Sequence, residues 1–198
     1  MHKVHEVRFA TQNSSKFNSL SDVLVKHDIE LVHYKVEFQE PRSDDLEEIA
    51  RSKIYFAYEQ IGKPCIVHDT GFYIHSLGGF PKTFVNFVLE TIGTDGILKL
   101  VKGKTRECEF MNCLAYLDEI LQGPIYFKSS VKGALAETPR GRAKEYDWSE
   151  LSLIFIPEGQ NKTLGEMNST EREFWRENLY KDPDNFATKF SSWFLRRY

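Results

Sequence analysis

The stretch VHDTGFYIHSLGGFP, Val67 to Pro81, decides the fold class of this chain. An apolar run, Cys65-Ile66-Val67, meets His68-Asp69, then a Thr70-Gly71 break, then Leu77-Gly78-Gly79-Phe80-Pro81. Ile66 and Val67 are expected to form a short buried strand with Asp69 at its carboxyl end. In an open α/β sheet that end is where ligands bind. A carboxylate held there by a glycine turn suits a divalent metal, or removal of a proton from water. Gly78-Gly79 permits a tight turn, and Pro81 is placed to start a helix over residues 80–92.

Towards the amino terminus, Val7-Arg8-Phe9-Ala10 reads as a strand and Thr11-Gln12-Asn13-Ser14-Ser15-Lys16 as a small polar turn opening a helix. Taken alone, Thr11 to Asn13 is a capping turn, with Ser14 or Ser15 as the cap. A strand, a polar turn and a helix start carrying a lysine also make a phosphate cradle. Phosphate at one turn and a metal carboxylate at another suggest a nucleotide enzyme. Phe17, Leu20, Val23 and Leu24 share one helical face, and residues 29–38 alternate as a strand. Residues 44–61 form the clearest helix, with an apolar stripe of Leu46, Ile49, Ala50, Ile54, Ala57 and Ile61, acids in front and Gly62 as the stop. A short helix is expected over 95–101, paired strands over 107–117 and 124–135, and a buried strand over 151–156. The tail from Asp184 carries Phe186, Ala187, Phe190, Trp193 and Phe194 at helical spacing.

Six segments in this order resemble one family. Thr11-x-Asn13-x-x-Lys16 follows the first strand, Asp69-Thr70-Gly71 a middle one, and Leu77-Gly-Gly-x-Pro81 comes next. Then come Pro139-Arg140-Gly141 after Thr138, Pro157-Glu158-Gly159, and Thr163-Leu-Gly-Glu166-Met167. In the same order and spacing, these segments are similar to those of the inosine triphosphate pyrophosphatases, house-cleaning enzymes of non-standard purine nucleotides. The similarity runs from Val7 to Met167. It implies an elongated α/β fold, a single domain over residues 1–198 with two lobes on a long mixed sheet and the nucleotide in a cleft between them. The implied reaction is attack of water on the α-phosphorus of ITP, dITP or XTP, giving monophosphate and pyrophosphate with Mg²⁺, or Mn²⁺ in its place.

Carried over residue by residue, the resemblance assigns Thr11, Asn13 and Lys16 to the triphosphate. Asp69 becomes general base or metal ligand, and Glu40 its metal partner, with Glu37, Asp44 and Asp45 as nearby competitors. Several positions depart from the family. His68 stands where a second acid is usual, as a weaker metal partner or a neutral filler, and its imidazole is expected to titrate near pH ~6.5. Asn86 replaces a basic residue, for which Lys82 is a candidate substitute. In place of an aromatic block ending in Asp-Pro, the chain has Tyr146-Asp147-Trp148-Ser149-Glu150. Tyr146 and Trp148 are candidates to stack on the base, and Asp147 or Glu150 to supply the displaced acid. Arg172 takes the place of a phosphate-binding lysine. Arg176-Glu177-Asn178 occupy the position of a Ser-His-Arg triplet that donates to the purine O6. An acceptor there implies an altered base preference. Three readings therefore stand: a pyrophosphatase of inosine-type nucleotides, a relative acting on another base, and a homologue that binds nucleotide or a partner without turnover.

Composition excludes other classes. With 26 Lys+Arg against 29 Asp+Glu and a net charge of −3, no electrostatic footprint favours nucleic acid or a membrane surface. No run of ~18 apolar residues predicts a spanning helix, and MHKVHEVRF lacks the apolar region of a signal peptide. The 3 cysteines, Cys65, Cys108 and Cys113, have neither zinc spacing nor an even count. They are expected to be reduced core residues in a cytoplasmic protein. Asn13, Asn161 and Asn168 each head a sequon that is coincidental without secretion. The apolar helix faces and the resemblance together lead us to expect a homodimer.

Overall fold

A computed structural model describes residues 4–39, 41–144, 147 and 149–198. The chain runs β1 (His5–Ala10), α1 (Ser14–Leu24), β2 (Ile29–Tyr34), α2 (Leu46–Ile61), β3 (Cys65–Ile74) and β4 (Pro81–Lys82). It continues through α3 (Val85–Thr91), α4 (Gly93–Leu100), β5 (Glu107–Leu117), β6 (Ile125–Leu135), β7 (Phe155–Pro157), α5 (Ser169–Lys181) and α6 (Phe186–Arg197). The strands form one mixed sheet in the order β2-β1-β3-β5-β6-β7, with β4 on β3. β1 is parallel to both β2 and β3, whereas β4 runs antiparallel to β3 and β7 to β6.

The chain divides into two compact units, to both of which β3, β5 and β6 contribute residues. The first comprises residues 1–69, 112–129 and 180–198. Its core joins Val7 and Phe9 of β1, Leu20 and Leu24 of α1, Ile29 and Leu31 of β2, Ile66 of β3, and Phe186, Phe190 and Phe194 of α6. Helical spacing puts the three phenylalanines of α6 on one face. Phe190 meets Tyr116 tilted and Phe127 edge-on, ring centres 5.7 and 5.5 Å away. The second unit, residues 70–111 and 130–179, has its own core of Phe72, Ile74, Val88, Ile97, Leu135, Leu151, Phe155 and Met167.

The strongly periodic elements lie where the pattern predicts. Asp45 caps α2 by accepting from the Glu47 amide, and Gly62, at φ 61°, ends it. Other expectations are corrected. The cap of α1 is Asn13, one residue before the serines, its Oδ1 accepting from the Lys16 amide at 2.9 Å. β2 stops at Tyr34, and residues 35–39 have no regular structure. The region 151–156 is a 3₁₀ turn over Glu150–Leu153 followed by β7. Pro81 starts no helix: the Phe80–Pro81 peptide is cis, Pro81 lies in β4, and α3 begins at Val85.

The largest correction concerns Thr70-Gly71. β3 continues through both residues to Ile74. A Cβ on Gly71 would lie 2.9 Å from the Lys82 carbonyl and 2.7 Å from the Tyr73 ring. Glycine is needed here so that β4 can approach, not to turn the chain. Asp69 nevertheless lies beyond the parallel part of the sheet. β1 pairs with β3 at Arg8–Cys65 and Phe9–Ile66 and ends at Ala10, so Asp69 is past the carboxyl edge of β1.

Cys65, Cys108 and Cys113 are buried free thiols, and burial pushes each to about 12. All three should resist a thiol-specific disulfide reagent in the folded protein and react on unfolding, as thiol titration with and without denaturant will show. Among the described residues no helix is long and apolar enough to cross a membrane.

Candidate active site

Asp69 lies in the middle of β3, 8% exposed. Its Oδ1 accepts from the Lys53 ammonium, and its Oδ2 is buried without a hydrogen-bond partner. Lys53 comes from α2, where it stands among Ile49, Ala50, Ile54 and Ala57 on the buried stripe. It is 9% exposed, with its ammonium 5.4 Å from the Phe38 ring centre. Nothing in the sequence reading singled out Lys53. The signal was present, since a lysine inside an apolar helical stripe must reach a buried acid or remain an unpaired charge.

The Thr11–Lys16 turn belongs to the same unit as Asp69. Thr11 is held from β2 by two bonds: its amide donates to the Tyr34 carbonyl at 3.1 Å, and His33 Nε2 donates to its carbonyl at 2.9 Å. The Thr11 hydroxyl accepts from the Asn13 amide at 3.1 Å, and Asn13 in turn caps α1. The capping reading of this turn is borne out. The turn is a cap, and it sets the positive end of α1 at the carboxyl edge of β1. The first turn of that helix has no acidic residue and carries the half-buried Lys16, an electropositive seat for an anion.

His68 is a neutral filler. Adjacent residues of a strand point to opposite faces. Asp69 meets α2, whereas His68 stacks on Phe186 of α6, ring centres 4.4 Å apart at 19°. Its Nε2 donates to Asn112 Oδ1 at 3.1 Å. Burial, then the positive charge of Lys16, push its pKa well below 6.5, with Lys53 adding to the effect and the Asn112 bond opposing it. The expected titration near pH ~6.5 is thus overturned. Protons bind His68 in the unfolded chain below about pH 6.5 but not in the folded one. Its contribution to stability is therefore complete above that pH and declines as pH falls. Urea melts of the metal-free protein between about pH 5 and 7 should show this slope, and His68→Gln should flatten it.

The other candidates spread over the chain. Asp45, a competitor for the metal role, is occupied as the α2 cap. Asn86 is an exposed residue of α3. Lys82 follows the cis peptide with φ 57°. In the second unit, the Arg172 guanidinium donates to Asp147 Oδ1 and to the Leu164 carbonyl, both at 3.0 Å, and lies 5.3 Å from the Trp175 ring centre. Asp147 Oδ2 accepts from the Lys144 amide. On α5, Arg176 is half-buried while Glu177 and Asn178 are exposed. Glu40, Tyr146 and Trp148 lie outside the described residues.

The Pro139-Arg140-Gly141 and Thr163–Met167 segments meet backbone to backbone. Arg142 N donates to the Gly165 carbonyl at 3.1 Å, and the Thr163 hydroxyl to the Arg140 carbonyl at 3.0 Å. Glu166 Oε2 accepts from the Thr163 amide at 2.8 Å and lies 3.4 Å from Arg140 Nε. These motifs hold a loop in place.

A buried carboxylate with one unsatisfied oxygen, in the same unit as a capped helix start, is consistent with several enzyme families, and comparison with known proteins separates them. Residues 7–175 match the Ham1 family. The chain belongs to the Ham1 family. It is 37% identical over 169 residues, 84% of this chain and 87% of that protein, to a dITP/XTP pyrophosphatase of Methanopyrus kandleri. It is 38% identical over 190 residues, 95% of this chain and 92% of that protein, to a dITP/XTP pyrophosphatase of Saccharolobus solfataricus. A solved Ham1 protein from Coxiella burnetii shares the fold with a TM-score of 0.71 at 23% identity, covering 89% of this chain and 97% of that one. The long mixed sheet expected from the sequence is thus a Ham1 fold.

Proposed function

We propose that this Ham1 protein hydrolyses non-standard purine nucleoside triphosphates, dITP, XTP and ITP, to the monophosphate and pyrophosphate. The observation that carries this reading is Asp69, a buried carboxylate with a bare Oδ2 at the carboxyl edge of β1, in one unit with the capped start of α1. Relatives named dITP/XTP pyrophosphatase over most of their length support the substrate class.

The site fits a divalent ion. A hard carboxylate oxygen, buried and without a hydrogen-bond partner, is the donor Mg²⁺ prefers. Asp69, with Glu40, would hold Mg²⁺ or Mn²⁺, whose charge offsets that developing on the triphosphate. Lys16 and the positive end of α1 bind phosphate oxygens, with Thr11 and Asn13 fixing the turn that presents them. Asp69 orients the attacking water and receives its proton as the bond from the α-phosphorus to the bridging oxygen breaks and pyrophosphate leaves. The Lys53 ammonium holds the carboxylate in place through its bond to Oδ1.

Base selection falls to the segment after Gly141 and to α5. Tyr146 and Trp148 stack on the base, and Arg172 and Arg176 supply positive charge. The exposed Glu177 offers an acceptor where an O6-reading site presents donors, which favours a weaker discrimination against adenine than relatives with Ser-His-Arg. We place the protein in the cytoplasm as a homodimer. The exposed Phe84, at the start of α3, and Phe87, within it, supply apolar surface for association.

A hydrolysis panel with Mg²⁺ tests the proposal. It comprises ITP, XTP, dITP and the four common triphosphates, scored for monophosphate and pyrophosphate beside Asp69→Asn. Fast, Asp69-dependent turnover of the inosine and xanthine nucleotides is expected. Bound nucleotide without turnover would instead mark a binding homologue.

A further inference from the structure

We infer, resting on the phosphate role proposed above for the Thr11–Lys16 turn, that His33 is a positioning residue for the triphosphate. It holds the Thr11–Gln12 peptide so that the Gln12 amide is offered to a phosphate oxygen.

The pattern of β2 sets His33 apart. Alternate residues of a strand share a face, which puts His33 in line with Ile29 and Leu31. Those two are buried in the core with Leu20 and Leu24 of α1. At the third position the apolar stripe turns polar. An imidazole there does what an aliphatic side chain cannot, presenting a flat face and a directed N–H. The ring lies on Phe17, centres 4.3 Å apart at 9°, and Nε2 donates to the Thr11 carbonyl at 2.9 Å. A carbonyl only accepts, so Nε2 carries the proton. Thr11 opens the phosphate turn and Phe17 follows Lys16, so one side chain clamps both ends of it.

Ala10 and Tyr34 are the last paired residues of β1 and β2. The Thr11 carbonyl therefore lies beyond the ladder and takes its direction from His33. In a trans peptide the carbonyl and the following N–H point in opposite directions within one plane. The Gln12 amide is thus turned away from His33. Gln12 is exposed, and its amide has no acceptor among the described residues. The Asn13 and Lys16 amides are occupied by the Thr11 hydroxyl and by Asn13 Oδ1. Backbone N–H groups left over at such a turn are the donors that phosphate takes.

Two substitutions separate the bond from the stack. His33→Phe keeps a ring on Phe17 and loses the donor, whereas His33→Gln gives up the ring and returns an N–H. Inorganic triphosphate, which has no base, is titrated calorimetrically with Mg²⁺ into wild type, both variants and Lys16→Ala. His33→Phe should bind it about tenfold more weakly, the order expected for one lost hydrogen bond to a charged group, and His33→Gln should recover most of the loss. In hydrolysis of XTP, His33→Phe should raise KM by about the same factor and leave kcat within about threefold, as loss of uniform binding does. A residue that only supported the fold would lower the melting temperature of both variants and leave these constants unchanged, and that result would overturn the inference. A wild-type measurement stands even where His33→Phe fails to fold. In ¹H–¹⁵N spectra, inorganic triphosphate should move the Gln12 amide proton downfield, as a new hydrogen bond to phosphate does. An unmoved Gln12 resonance in the saturated protein would overturn the inference as well. Wild type that binds no inorganic triphosphate, or binds it no more tightly than Lys16→Ala, defeats the phosphate role of the turn and the inference with it. Weak binding by Lys16→Ala alone leaves that role standing and overturns only the part given to His33.

Discussion

Asp69→Asn should lower turnover by about 10³-fold, the middle of the range for losing a group that moves a proton, while nucleotide still binds. The substitution also strands the Lys53 ammonium, 11% exposed as a side chain, without its partner. Breaking a buried pair from one side commonly costs about 3–5 kcal/mol. The single variant should therefore melt earlier as well as work slowly, which alone would leave catalysis and folding entangled. The double variant Asp69→Asn with Lys53→Met separates them. Two uncharged groups replace the pair, so most of the lost stability should return while activity stays absent. Thermal melts and steady-state kinetics on the three proteins check both halves, with the non-additive stability term measuring the pair. A double variant no more stable than the single would show that the pair is not what supports this part of β3.

Gly141→Ala should destabilise the protein by roughly 3 kcal/mol or more, without touching any residue assigned to chemistry. Gly141 sits at φ 80°, a conformation open to glycine and strained for alanine. An added Cβ would meet the Gly165 carbonyl carbon and oxygen at 2.3 Å. Neither contact can be relieved by a rotamer change, because both partners are backbone. The loop would have to part from the Thr163–Met167 turn and give up the bond from Arg142 N to the Gly165 carbonyl. Denaturant melts provide the measurement. A loss under about 1 kcal/mol would mean that the two segments separate easily.

Gly141 also shows how a motif can be recognised correctly while its role remains hidden. Pro139-Arg140-Gly141 and Thr163–Met167 pointed to the family by their order, and the structure shows them bonded to each other as scaffold. Thr70-Gly71 misled in the opposite sense. Read as a turn, it is strand, because the reason for the glycine is the backbone of β4, a partner distant in sequence. Elements with strong periodicity were legible: α2 from its stripe and Gly62, α6 from its phenylalanines, β5 and β6 as a pair. In the two helices local pattern sufficed because one face is buried along the element.

α5 was not anticipated, since none of its residues is buried and it shows no apolar stripe. Its signal is a capping box, with Asn168 Oδ1 accepting from the Glu171 amide and Glu171 Oε2 from the Asn168 amide, each at 2.9 Å. Asn168 had been noted only as the head of a sequon. Asp69 reads in the sequence as the acid ending a short strand, whereas it lies in the middle of β3, past the carboxyl edge of β1. Lys16 reads as the lysine of a helix start, where it stands in α1. Lys53 was not legible, because its partner is distant in sequence and its own spacing reads as core. The behaviour of His68 was equally out of reach, since its neutrality comes from Phe186 and Asn112, elements that only the fold brings together.

Hydrolysis of XTP in ¹⁸O-labelled water tests the central claim most directly, with the products separated and weighed by mass spectrometry. Attack at the α-phosphorus, with the proton passing to Asp69, places the label in xanthosine monophosphate and leaves the pyrophosphate unlabelled. Labelled orthophosphate together with xanthosine diphosphate would place the attack at the terminal phosphorus and contradict the assignment of this site.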